Sequence, residues 1–164
     1  AGDAKITPPN TQFVVTKSTR NSLNLPLDYG INLFWCGSND VGVATISDVV
    51  TLIEQAVSHI KTPEKRFLIM GPLNNSSHTV STQAYIDMRL VTDQLKAKYP
   101  ANFIDIQELL LHHYNPGIPQ DVTDFGNKVV PSSLRIDSIH LNTTGYAIVA
   151  NAVKSFIDSK GWLS

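Results

Sequence analysis

From Tyr29 onward, short apolar runs alternate with longer stretches in which apolar residues recur every three or four positions. Tyr29 to Cys36 is a largely apolar run stopped by Gly37, the pattern of a strand buried on both faces. Ser47 and Asp48 mark a helix start, and Val49, Leu52, Ile53, Ala56, Val57 and Ile60 follow at helical spacing, with Pro63 beyond the end. Arg66 to Met70 predicts a second buried strand, closed by Gly71-Pro72. A polar loop, Asn74 to Thr79, leads into a long helix predicted over Ser81 to Tyr99. Asn102 to Ile106 predicts a third strand and Glu108 to His113 a short helix. The stretch from Asn115 to Ser133, rich in Gly, Pro, Asp and Asn, predicts a long loop. A final helix begins near Thr143, with Ile148, Val149, Ala152, Val153, Phe156 and Ile157 on one face.

Strand and helix in strict alternation build a parallel sheet with helices on both faces, so the expected class is α/β, flavodoxin-like in arrangement. In such sheets ligands sit at the carboxyl ends of the strands. Gly37 to Asp40 and Gly71 to Asn75 follow two of those ends. The opening segment is different. Residues 1–28 are polar, with one short predicted strand, Gln12 to Thr16, and a loop rich in Ser, Thr and Asn from Lys17 to Asn24. The reading is therefore a polar segment 1–28, the end of an upstream or inserted module, followed by an α/β domain over 29–164.

Composition adds exclusions more than identity. The 164 residues are 42% apolar and 16% charged, an ordinary balance for a chain that buries a core. Thirteen basic residues face fourteen acidic ones with no run of Lys or Arg, which argues against nucleic acid and anionic membrane as partners. No stretch reaches the roughly 20 apolar residues of a membrane span, and Ala1 to Asn10 lacks the basic-then-hydrophobic order of a signal peptide. Cys36 stands alone, so no internal disulfide forms, and its apolar surroundings predict a small buried hydrophobe.

Two short motifs carry chemistry. In Gly37-Ser38-Asn39-Asp40, the glycine permits a sharp turn and Asn39 presents an amide donor suited to a developing oxyanion, although the same string is ordinary turn chemistry. In Asp137-Ser138-Ile139-His140-Leu141-Asn142, a carboxylate three residues before a histidine can bond the imidazole Nδ1–H. Nε2 is then free to act as a general base. The competing reading is a helix N-terminus capped by Asn142 or Thr143.

Taken together and in this order, Gly-x-Asn-Asp after a central strand and Asp-x-x-His-Leu-Asn-x-x-Gly-Tyr before the last helix resemble blocks III and V of the SGNH hydrolases. Phe103-Ile104-Asp105-Ile106 before a short helix fits the same family, over roughly Tyr29 to the C-terminus. The stretch Pro131-Ser132-Ser133-Leu134-Arg135-Ile136-Asp137 resembles, more particularly, SGNH domains on bacteriophage tail spikes and tail fibres. The resemblance implies an esterase that removes acyl groups, often acetyl, from polysaccharide at the virion surface or elsewhere outside the cell. It maps Asp137 and His140 to a Ser-His-Asp triad and Asn39 to the oxyanion hole. No cofactor or metal is implied.

The chain departs from that family at the nucleophile. Gly2-Asp3-Ala4 has alanine where the family has serine, with no strand ahead of it, and reads as coincidence. The block II glycine is not identifiable, so the family's first strand, first helix and second strand are expected on a preceding segment that supplies the serine. Ser38, Ser132, Ser133 and Ser138 lie within or near the motifs, but none sits on a predicted strand-to-helix turn. Asn74, Asn75 and His78 sit where that family has a substrate-contacting loop, which the resemblance implies touches carbohydrate, with loop-capping roles as the alternative. His112 and His113 predict a solvated helix end, and Asp124, Gly126 and Asn127 a turn without calcium-ligand spacing. Trp35 predicts a core position and Trp162 a packing anchor. Two other readings stay open: a non-catalytic module that binds glycan or another subunit on the same scaffold, and a flavodoxin-like domain carrying both motifs by chance, with Asn39 and His140 far apart. The pattern leaves homo-oligomerisation undecided.

Overall fold

The computed structural model describes residues 30–40 and 44–163. Residues 1–28, with the Gln12 to Thr16 strand and the Gly2-Asp3-Ala4 string, lie outside the described residues. The elements run β1 (Asn32–Trp35), α1 (Ile46–Ser58), β2 (Phe67–Met70), α2 (Gln83–Lys98), β3 (Phe103–Ile104), α3 (Ile106–Leu111), α4 (Pro119–Gly126) and α5 (Thr143–Ser159). The three strands form one sheet in the order β1-β2-β3, every pair parallel, with Trp35 opposite Met70 and Met70 opposite Ile104.

β2 is the centre of the molecule, and its four residues are all buried because successive side chains feed opposite layers. Phe67 and Ile69 pack with Phe34 against Val49 and Ile53 of α1 and Val91 and Leu95 of α2. Leu68 and Met70 point the other way, into Ile106 and Leu110 of α3, Val149 of α5, and Leu134 and Leu141. The expected α/β architecture, with helices on both faces of a parallel sheet, is what the chain adopts.

α1 begins at Ile46, ahead of the expected start at Ser47 and Asp48, because Thr45 is its cap. Thr45 accepts from the Asp48 amide at 3.1 Å while the Asp48 carboxylate takes the Thr45 amide, a complete capping box. Thr82 caps α2 through the Tyr85 amide, and Asn142 caps α5 through the Gly145 amide at 3.0 Å.

Three expectations need correction. Of β1, only Phe34 is fully buried; Leu33 and Trp35 are half-buried, and among the described residues no strand pairs with the outer edge of β1. An apolar cleft of about 530 Å³ opens there, walled by Leu33, Trp35 and Met70 on one side and Tyr146, Val149 and Val153 on the other. The third strand shrinks to two residues, since Asn102 belongs to a 3₁₀ turn and Asp105 is already the cap of α3. The segment predicted as a long loop contains a helix, α4, started by Pro119, whose fixed φ and missing N–H suit the first helical position. Asp124 and Gly126 therefore lie within that helix, with Asn127 as its C-cap.

Candidate active site

Three loops meet at the carboxyl end of the sheet. After β1, Gly37 turns the chain at φ +100°, and the Asp40 amide closes the turn onto the Gly37 carbonyl at 3.1 Å. A side chain at Gly37 would also press on Val49, so both backbone conformation and space call for glycine. The Ser38 hydroxyl accepts from the Leu73 amide at 2.9 Å, tying this turn to the loop after β2. That second loop in turn donates from the Ser76 amide to the Ser138 carbonyl at 2.8 Å. Ser38, next to Asn39, and Ser138, next to Asp137, are thus both hydrogen-bonded to the loop after β2.

The Asp137–His140 segment is built from its own residues. Asp137 Oδ1 accepts the amides of Ile139 and His140, each at 2.7 Å, which winds the chain into a tight turn. Its Oδ2 lies 2.7 Å from His140 Nδ1. An ionised carboxylate only accepts, so Nδ1 carries a proton, and in the neutral imidazole this leaves the lone pair on Nε2. These three bonds, the imidazole's first, hold the Asp137 carboxyl well below the usual carboxylate range. The His140 side chain is 34% exposed and that of Asp137 51%, so the pair faces solvent among the described residues.

The base of the turn is an antiparallel bridge between Arg135 and Leu141, with the Ile136 amide on the His140 carbonyl and the Asn142 amide on the Leu134 carbonyl. Asn142 also donates to the Ser133 carbonyl at 2.8 Å. One residue therefore caps α5 and closes the turn. Behind it stand two buried carboxylates of α4. Asp121 accepts from the Asn115 amide, the Ser132 hydroxyl, and both the amide and hydroxyl of Ser133. Burial opposes its ionisation, but the bonds from Ser133, Asn115 and Ser132 outweigh that and hold the carboxyl below its ordinary value. Asp124 pairs with Arg135 at 2.9 Å. Sequence reasoning missed Asp121 and read Asp124 only as part of a turn; the available signal was acidic residues in a segment opened by a first-turn proline.

Asn39 is exposed at its turn. Asn74 is only 6% exposed: its amide nitrogen donates to the carbonyls of His78 and Lys128, while its Oδ1 is buried without a partner. The same Lys128 carbonyl accepts from Gln107 at 2.7 Å, which fixes Lys128 at φ 57°. Asn75 Oδ1 takes the amide and hydroxyl of Ser77, and half-buried His78 closes its turn onto Asn75. These three residues shape the middle loop, with Asn75 and His78 on its accessible side. Ser132 and Ser133 donate their hydroxyls to Asp121, and the Ser38 hydroxyl accepts one bond, from the Leu73 amide.

The remaining candidates lie apart from this chemistry. His112 pairs with Glu108 on α3, and His113 bonds the Leu109 carbonyl, both at the helix end. Among the described residues no three His, Cys, Asp or Glu side chains gather as metal ligands, and no helix is long and apolar enough to cross a membrane. Cys36 is partly buried against the α1–α2 layer; burial and the nearby Asp40 charge push its thiol up to about 11. Trp162 packs against Phe156, and Trp35 meets Tyr146 edge-on, half-buried against the core layer that contains Leu68 and Met70.

Comparison with known proteins gives one direction. No family model matches the chain, and no solved structure matches it. The tail spike protein of Salmonella phage epsilon15 is 29% identical over 146 residues, which cover 80% of this chain and 13% of that protein. The chain thus spans a small part of that relative's length, and what it resembles is one portion of a phage tail spike.

Proposed function

We propose that this chain is the carboxyl-terminal portion of a carbohydrate O-acyl esterase domain on a phage tail spike, a virion component. The observation that carries the reading is the 2.7 Å bond between Asp137 and His140 Nδ1, on a loop hydrogen-bonded to the rim where Asn39 sits. In the intact site a serine from a preceding segment attacks the ester carbonyl. His140 Nε2 takes the serine proton and later returns it to the leaving alkoxide, while Asp137 holds the imidazole in the required tautomer. The Asn39 amide donates to the tetrahedral oxyanion. Asn75 and His78 line the approach to His140 and contact the sugar.

Two features support completion of the site by a preceding segment. The outer edge of β1 and the adjoining apolar cleft have no cover among the described residues, which suits a further strand and helix. Asp137 is half-exposed, and an exposed ion pair is worth little until water is excluded. Acetyl on polysaccharide is the substrate class we favour.

The test is hydrolysis of p-nitrophenyl acetate by the 164-residue chain and by the longer protein, each as wild type and His140→Ala. We expect turnover from the longer protein only, lost on the substitution. Turnover that survives His140→Ala, or none from the longer protein, removes the esterase reading and leaves a glycan-binding or subunit-binding module.

A further inference from the structure

We propose that Arg135 is a positioning residue for the Asp137–His140 pair, tying the turn that bears the pair to the buried Asp124 carboxylate on α4. The inference rests on the esterase reading for its catalytic meaning, but its geometry stands independently. The guanidinium donates in three directions: Nε to the Val130 carbonyl at 3.0 Å, one terminal nitrogen to the Asp137 carbonyl at 3.2 Å, and the other to Asp124 at 2.9 Å. The side chains of Arg135 and Asp124 are 19% and 7% exposed, so the arm to Asp124 is largely shielded from water, while the arm to the Asp137 carbonyl lies at the exposed surface.

Two contacts from outside the turn reach its tip: the Ser76 amide on the Ser138 carbonyl at 2.8 Å, and this fork on the Asp137 carbonyl. The bridge between Arg135 and Leu141 fixes the base of the turn, and Asp137 fixes its inside by binding Ile139 and His140. Neither sets the angle of the tip against the body of the domain. The bond to the Asp137 carbonyl does, because its other end is anchored on α4. That helix is itself pinned to residues 132–133 by Asp121. If the fork is lost, the Asp137–His140 bond survives as a local unit while the imidazole swings away from the reacting ester. Lysine cannot replace the fork, since an ammonium is a point donor without the planar three-way reach.

The experiment uses Arg135→Lys and Asp124→Asn, both checked for folding by thermal melts. In the longer protein, kcat with p-nitrophenyl acetate should fall about hundred-fold, with KM changed by less than about three-fold, as expected of misplacement on the order of 1 Å. In the 164-residue chain, NMR should show the Nδ1-protonated His140 tautomer retained, while amide exchange of residues 136–140 rises at least about ten-fold. Folded variants with unchanged kcat and unchanged exchange overturn the proposal. If the wild-type longer protein shows no turnover, the esterase reading fails alone, and the exchange measurement still decides the role of Arg135.

Discussion

Gly145 sits in the first turn of α5, buried against the base of the Asp137–His140 turn, and its replacement by alanine should destabilise the protein. Helix propensity alone predicts the opposite, since alanine is better than glycine in a helix by about 1 kcal/mol. The packing decides the sign. A methyl at Gly145 would fall well inside contact with the Leu134 carbonyl oxygen, and 3.1 Å from Cβ of the buried Leu141. The carbonyl is not free to retreat, because it accepts the Asn142 amide at 2.9 Å. Overpacking costs about 1–3 kcal/mol and a lost hydrogen bond about 1 kcal/mol, against the roughly 1 kcal/mol gained from propensity. The net is a loss of about 1–3 kcal/mol, or a fall in Tm of about 3–10 °C for a chain of this size. Gly126 is the control: it lies in α4 with nothing within 4 Å of an added methyl, so Gly126→Ala should be neutral or slightly stabilising. Thermal and urea unfolding followed by circular dichroism make the comparison. A Gly145→Ala protein as stable as wild type would refute the close packing of α5 on this turn.

Other consequences can be measured on the same chain. The Asp137 carboxyl, read by ¹³C NMR, should titrate well below the ordinary 3.8 and move back towards it in His140→Ala. A depressed folded-state pKa means that Asp137 stabilises the turn above the ordinary carboxylate range and loses that contribution as pH falls through the lowered value; a midpoint near the ordinary one would contradict the three bonds. Asp121→Ala strands the donors of Ser132, Ser133 and Asn115 and should cost about 2–4 kcal/mol in urea unfolding; a change within experimental error would show that α4 does not pin the loop. With its thiol raised from 9.0 to about 11, Cys36 should hold about a hundredth of an ordinary thiolate population at pH 8. Native-state alkylation by iodoacetamide should slow at least in proportion, and alkylation at the rate of a free thiol would count against that burial.

Much of the fold is legible in the sequence because its signals are local. Asn142 announces the start of α5 within three residues, whereas the Ser47–Asp48 signal marks α1 late because Thr45 is its cap. Phe67 to Met70 reads as a buried strand because all four residues face packed layers. The exposure of β1 is not legible, since burial of Leu33 and Trp35 depends on what lies beside the strand. α4 is hidden by a composition rich in turn residues, and only Pro119 points to it. The same division holds at the site. Asp137 and His140 are three residues apart and close their bond within one turn, so spacing reveals them. The supports from Asp121 and Asp124 reach across eleven or twelve positions between α4 and the loop, a distance at which no periodicity signals contact. Asn74 illustrates the limit from the other side: its position is legible, but that its amide group is folded inward onto Lys128 is not.

The central claim is that this chain holds the base and its orienting carboxylate while the nucleophile comes from elsewhere in the polypeptide. Labelling the longer protein with a fluorophosphonate, followed by peptide mapping, tests it most directly. The account predicts a single modified serine outside residues 1–164, with labelling abolished by His140→Ala. Modification of Ser38, Ser132, Ser133 or Ser138, or labelling indifferent to His140, would contradict it.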